Sequence, residues 1–115
     1  MSKAENGFVE RRRQFTTSAE GVEIPTENTV TDSAIEDIIE DEQYHVFPST
    51  TMTVCCLTLT NGYTVLGESA CADPYNFKQA TGEFYARKDA LRKIWPLEGY
   101  LMRQRLHDVN ALAQD

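Results

Sequence analysis

The sequence predicts an α+β fold: a short N-terminal helix, an antiparallel β-hairpin or three-stranded meander, and a long C-terminal helix kinked at Pro96. Three observations predict it. Residues 51–60 are rich in β-formers and lead through Asn61-Gly62 into Tyr63-Thr64-Val65-Leu66. Phe77, Ala80, Thr81, Phe84, Leu91, Ile94 and Trp95 recur at the three-to-four spacing of a buried helical face. Ahead of both, Ser33 and Glu36 have capping-box spacing beside Ile35, Ile38 and Ile39.

Taken in order, residues 1–30 read as a polar, partly flexible arm. Phe8, Val9, Phe15, Val22 and Ile24 are too scattered for one face, and Arg11-Arg12-Arg13 forms a short basic cluster. Pro25 favours an extended stretch. A helix is predicted over 33–41, with Asp32, Glu36 and Asp37 near the positive end of its dipole. Gln43 to Phe47 are expected to add a third strand, ended by Pro48.

Asn-Gly between two β-rich runs predicts a two-residue type I′ turn, in which both central residues need positive φ. That turn places Thr60 opposite Tyr63, Thr58 opposite Val65 and Leu57 opposite Leu66. Both faces of the hairpin are largely apolar, so a helix should cover one and another chain or sheet the other. The last helix is predicted over 77–107, with Asn76 as its N-cap. Pro96 cannot bond back to the Arg92 carbonyl. Trp95 and Tyr100 read as core aromatics.

The 115 residues fit one domain, residues 31–107, after the arm and before a fraying tail at 108–115. Net charge is −7, which argues against coating nucleic acid or an anionic membrane. The charge is uneven. Residues 20–42 hold nine acidic side chains and no Lys or Arg, whereas residues 78–105 hold seven basic against three acidic ones. The plain expectation is that the two blocks attract each other within the fold or across a homo-oligomer.

Three cysteines, Cys55, Cys56 and Cys71, are expected to be reduced and buried as small hydrophobes. Adjacent strand residues point to opposite faces, so Cys55 and Cys56 do not chelate together, and no metal or cofactor is expected. The start has no apolar run of signal-peptide type, and no stretch approaches the roughly 20 apolar residues that span a membrane. No membrane contact and a host-cytoplasmic location are the expectations. With no phosphate loop, nucleophile elbow or paired metal ligands, the reading is a binder and not an enzyme.

Two regions are candidate binding sites. Arg87-Lys88 and Arg92-Lys93 form two adjacent cationic pairs, with Lys88 and Arg92 four residues apart on one helical face, which suits a phosphate-binding face. The other reading of that face is pairing with Glu36–Glu42, or solvation. The second candidate is the loop 67–77 before the long helix, where Tyr75 and Phe77 offer stacking surfaces and Asn76 a hydrogen bond. Its other reading is an N-cap with Phe77 as a core anchor.

The segments Val54-Cys55-Cys56-Leu57-Thr58-Leu59-Thr60-Asn61-Gly62-Tyr63, Gly67-Glu68-Ser69-Ala70-Cys71 and Asp73-Pro74-Tyr75-Asn76-Phe77 resemble a small family of phage and prophage accessory proteins. Its relatives occur in N4-like and Sf6-like tailed phages. Ile94-Trp95-Pro96-Leu97-Glu98-Gly99-Tyr100-Leu101 matches the second half of the pattern, and the resemblance spans about residues 33–106. It implies a non-structural phage product. In size and layout the chain is also similar to Thoeris-inhibiting sponge proteins, which implies capture of a cyclic ADP-ribose-like signal in dimer pockets.

Three functions follow as expectations. The first is a phage-encoded binder that counters host antiviral defence by sequestering a cyclic nucleotide signal at Tyr75, Asn76, Phe77, Arg87, Lys88 and Arg92. The second is an acidic inhibitor of a host defence protein. The third is a small nucleic-acid-binding regulator using Arg11-Arg12-Arg13 and the basic helix. The first requires that the helical cations stay available and lie beside a cavity.

Overall fold

Alternating residues of one β-branched strand decide the layout. A computed structural model describes residues 15–17, 19–25 and 27–113. Its elements are β1 (Phe15–Thr17), β2 (Glu23–Pro25), α1 (Asp32–Asp37), β3 (Ile39–Val46), β4 (Met52–Leu59), β5 (Thr64–Ala70), a 3₁₀ turn (Pro74–Asn76) and α2 (Gln79–Ala113). Strands β3, β4 and β5 form an antiparallel meander in that order, and β1 pairs with β2 as a separate ribbon. The fold is therefore α+β, as the sequence predicts.

Within the expected arm, β1 and β2 pair antiparallel around a turn in which Gly21 takes φ +84°. Phe8, Val9, Arg11, Arg12 and Arg13 lie outside the described residues. The first helix begins earlier than predicted and is shorter. Thr31, not Ser33, is its N-cap, with Oγ1 accepting from the Ala34 N–H at 3.1 Å. It stops at Asp37 because Ile39–Asp41, predicted helical, join β3. The Ile38 carbonyl there accepts from the Thr60 N–H at 2.9 Å. Sheet pairing overrides the weak strand propensity of Glu40-Asp41-Glu42.

The turn at Asn61-Gly62 is in the predicted place but is one residue longer. The Leu59 N–H donates to the Tyr63 carbonyl and the Gly62 N–H to the Leu59 carbonyl, each at 2.8 Å. Gly62 alone of the loop takes positive φ, +90°, which makes a three-residue loop with a bulge. The register accordingly shifts by one: Leu57 faces Val65, Cys56 faces Leu66 and Thr58 faces Thr64. A one-residue slip exchanges the faces of β5. Val65 is buried, and Leu66 is 55% exposed.

In β4, Thr53, Cys55, Leu57 and Leu59 point to the helix and are buried. Against them α2 presents Gly82, Ala86, Ala90 and Ile94, all buried. Of the predicted stripe Ile94 is buried and Leu91 partly so, whereas the small residues Gly82, Ala86 and Ala90 make the rest of the contact. Phe84 is 60% exposed, Tyr100 74% and Trp95 37%, so Trp95 and Tyr100 are not core aromatics. Close approach is the reason. A Cβ on Gly67 of β5 would overlap backbone atoms of Ala86 and Ala90, so strand and helix touch where neither carries bulk. Ile35 of α1 completes the core, with Val30, Ile38, Ile39, Tyr44 and Leu91 partly buried around it.

Asn76 does not cap α2. Asp73 caps the 3₁₀ turn instead, its Oδ1 accepting from the Tyr75 N–H at 3.0 Å, and α2 begins at Gln79. The helix then runs 35 residues, through Pro96 and six residues past His107. The opposite sheet face, with Met52, Val54, Cys56 and Leu66, has no cover among the described residues.

Candidate functional site

Packing against the sheet fixes the rotation of α2, and so decides where its cations go. Arg87 points toward the acidic block. It clasps Glu36 of α1 through two bonds, Nη1 to Oε2 at 3.0 Å and Nη2 to Oε1 at 2.8 Å. Its Nε donates to Glu42 Oε1 of β3 at 3.3 Å, and the Tyr44 hydroxyl donates to the same oxygen at 2.7 Å. The hydrogen bonds from Arg87 hold the Glu36 carboxyl below the usual range. Arg87, a predicted ligand residue, is thus a tie between α1, β3 and α2.

Asp89 gathers the next group. Its Oδ1 accepts from Arg92 Nη2 at 2.8 Å, Lys93 Nζ lies 3.6 Å from Oδ2, and the Glu68 N–H donates to Oδ2 at 3.0 Å. Arg92 first, then the Glu68 amide, lowers the Asp89 pKa. Lys93 also donates to the Leu66 carbonyl at 2.7 Å, tying helix to strand. Arg92 contacts Asp89 through one nitrogen only, and its side chain is 71% exposed. Lys88 forms no ion pair among the described residues; its ammonium lies 5.7 Å from the centre of the Phe84 ring.

Lys88 and Arg92 border one open cleft of about 560 Å³, whose walls include Tyr85, Trp95, Asp32 and Asp89. These α2 residues recur at i, i+3, i+7 and i+10, one helical face with an aromatic ring at each end of a cation pair. The size falls within the usual 300–1,000 Å³ of ligand sites. The cations are legible in the sequence, whereas Tyr85, Trp95 and Asp32 join them only through the fold. The aromatic–cation–cation–aromatic spacing was the available signal for the two rings. Nothing local marks Asp32, which arrives from α1.

Asn76 and Phe77 lie elsewhere, in a smaller cavity of about 210 Å³ with Thr51, Cys71, Thr81 and Tyr85. Tyr85 borders both spaces, so the two predicted sites are neighbours on one helix and not one pocket. Tyr75 is 97% exposed and lines neither. All three cysteines are free, and burial raises the pKa of the Cys55 thiol. Among the described residues, no three His, Cys, Asp or Glu side chains gather to hold a metal ion. No helix among them is long and apolar enough to cross a membrane.

Fold and cleft define a small α+β domain, a three-stranded meander backed by one long helix with cations between aromatic rings. The chain belongs to the Phage protein (N4 Gp49/phage Sf6 gene 66) family, whose model matches residues 30–106. That description names phage gene products and no ligand, and it lends no support to a Thoeris relation. No curated protein and no solved structure matches the chain.

Proposed function

We propose that this phage protein is a non-catalytic binder that captures a small cyclic nucleotide signal in the α2 cleft and so blunts a host antiviral response. The observation that carries the reading is the cleft of about 560 Å³ in which Lys88 and Arg92 lie between Tyr85 and Trp95. Guanidinium and ammonium groups bind phosphate oxygens, and aromatic faces stack on bases. Asp32 supplies an acceptor for a base N–H or a ribose hydroxyl. Two of the six residues first expected to bind, Lys88 and Arg92, keep that role. Arg87 is engaged by Glu36 and Glu42, while Asn76 and Phe77 border the adjoining cavity.

Calorimetry against cyclic ADP-ribose isomers and a panel of cyclic dinucleotides tests this. Heat is expected with at least one of them, and the double variant Lys88→Ala/Arg92→Ala should weaken that binding by about a hundredfold, on roughly 1.5 kcal/mol per charged hydrogen bond. Absence of heat with every member of the panel refutes the reading.

A second reading draws on Asp37, Glu40 and Asp41, which stay exposed and outside any ion pair among the described residues. They offer an acidic surface to a basic host protein. A host-lysate partner that leaves at high salt would favour it, since exposed charges are screened within roughly 10 Å at 0.1 M.

A further inference from the structure

Among the described residues of α2, Ile94 is the last that is buried, and Leu97 borders the hairpin end beside Tyr63 and Thr64. No described residue from 98 to 112 is buried. The helix therefore continues for about four turns, roughly 24 Å, beyond the sheet that supports it. Isolated helices of this length are marginal in water, and their stability comes from packing an apolar face.

The face that Ile94 turns to the core continues along the overhang as Leu101, Arg105, Asp108 and Leu112, at i, i+4, i+7 and i+11. Leu101 is 43% exposed and Leu112 74%. Arg105 and Asp108 form no ion pair among the described residues, and Asp108 Oδ1 accepts only from the neutral Gln104 Nε2 at 3.0 Å. The order of this stripe is symmetric: apolar, cation, anion, apolar. A two-fold axis between residues 106 and 107 sets Leu101 of one copy against Leu112 of the other. The same axis sets Arg105 against Asp108, twice.

We propose that the overhang is a dimerisation surface on which a second copy of this chain docks antiparallel, with two Arg105–Asp108 pairs flanked by Leu101–Leu112 contacts. Charge identifies the occupant. Residues 98–112 carry Glu98, Arg103, Arg105 and Asp108, a net of zero in a chain whose net charge is −7. Two copies meet there without mutual repulsion, and antiparallel docking keeps their acidic bodies at opposite ends. The uncovered sheet face suits a second copy less well. Asp41, opposite Thr58, and Glu68, opposite Val54, both stand on it, so pairing two such faces brings carboxylates together.

Sedimentation velocity on the full chain tests the surface by charge exchange. The unaltered chain should sediment as a dimer. Arg105→Asp and Asp108→Arg, each alone, face like charge with like and should weaken self-association by about tenfold. An equimolar mixture of the two variants restores opposite pairs and should recover the dimer, as should the double exchange in one chain. This recovery also shows that neither variant is merely misfolded. A monomeric unaltered chain, single variants that dimerise undiminished, or a mixture that fails to reassociate would each overturn the proposal.

Discussion

Arg87 shows how one side chain settles a question left open by charge counting. The acidic block and the basic helix meet inside the fold, and Arg87 is where they meet, held by Glu36 and Glu42 at once. Lys88, one residue on and turned by about 100°, faces the cleft instead. Neighbours in sequence thus divide between holding the fold and facing solvent, which the spacing of charges alone did not reveal. Arg87→Ala should destabilise the domain by about 1 kcal/mol near neutral pH, a small value because the Glu36 side chain is half exposed. The pH dependence has a definite sign. Glu36 is lowered by Arg87, so its contribution is complete above the ordinary carboxylate value of about 4.3 and is lost as pH falls through its lower folded value. Urea denaturation of the two proteins should give midpoints that differ at pH 7 and converge below about pH 4. A gap that persists into acid would show that Arg87 acts through its apolar stem.

Among the elements, β5 and α2 depend most on what is absent from them. Gly67 allows backbone contact with Ala86 and Ala90, and the helix answers with Gly82, Ala86 and Ala90 in its buried stripe. Gly67→Ala should cost about 3 kcal/mol, because backbone and not a movable side chain stands in the way. Chemical denaturation should show a much lower midpoint, and an unchanged midpoint would mean the helix can shift outward freely. This contact also explains what the sequence did and did not disclose. The strands of the hairpin were legible from their β-rich composition and its turn from Asn61-Gly62, while β3 was legible only from Gln43 onward because Glu40-Asp41-Glu42 do not favour a strand. The register was not, because the same dipeptide serves both a two-residue loop and a three-residue loop with a bulge. The helix was legible as a helix, but its buried face was read from the large apolar residues. Apart from Ile94, the largest of those residues lie on the flanks, because only small ones fit against β5 at Gly67. For the same reason the cleft was half legible. Lys88 and Arg92 stand out as charges, while Trp95 reads as a core aromatic and nothing in the sequence but its spacing from them singles out Tyr85.

At the scale of the whole molecule, a small body holds the sheet, the acidic edge and the cleft, and a long helix leaves it with the stripe Leu101, Arg105, Asp108 and Leu112 exposed. The family assignment rests on residues 30–106, which contain the meander, the cleft and most of the helix, and end within the proposed self-docking stripe. The cleft and the overhang lie on different faces and stretches of α2, so the ligand and the second copy are tested separately. Trp95 makes the first test direct, since it is the only tryptophan of the chain and it lines the cleft. Its emission should change in a saturable way as a cyclic nucleotide is added, and Lys88→Ala/Arg92→Ala should move that titration to about a hundredfold higher nucleotide concentration. Emission that stays constant through the whole nucleotide panel, or a response that the double variant retains in full, would contradict a role for this cleft in capturing an anionic signal.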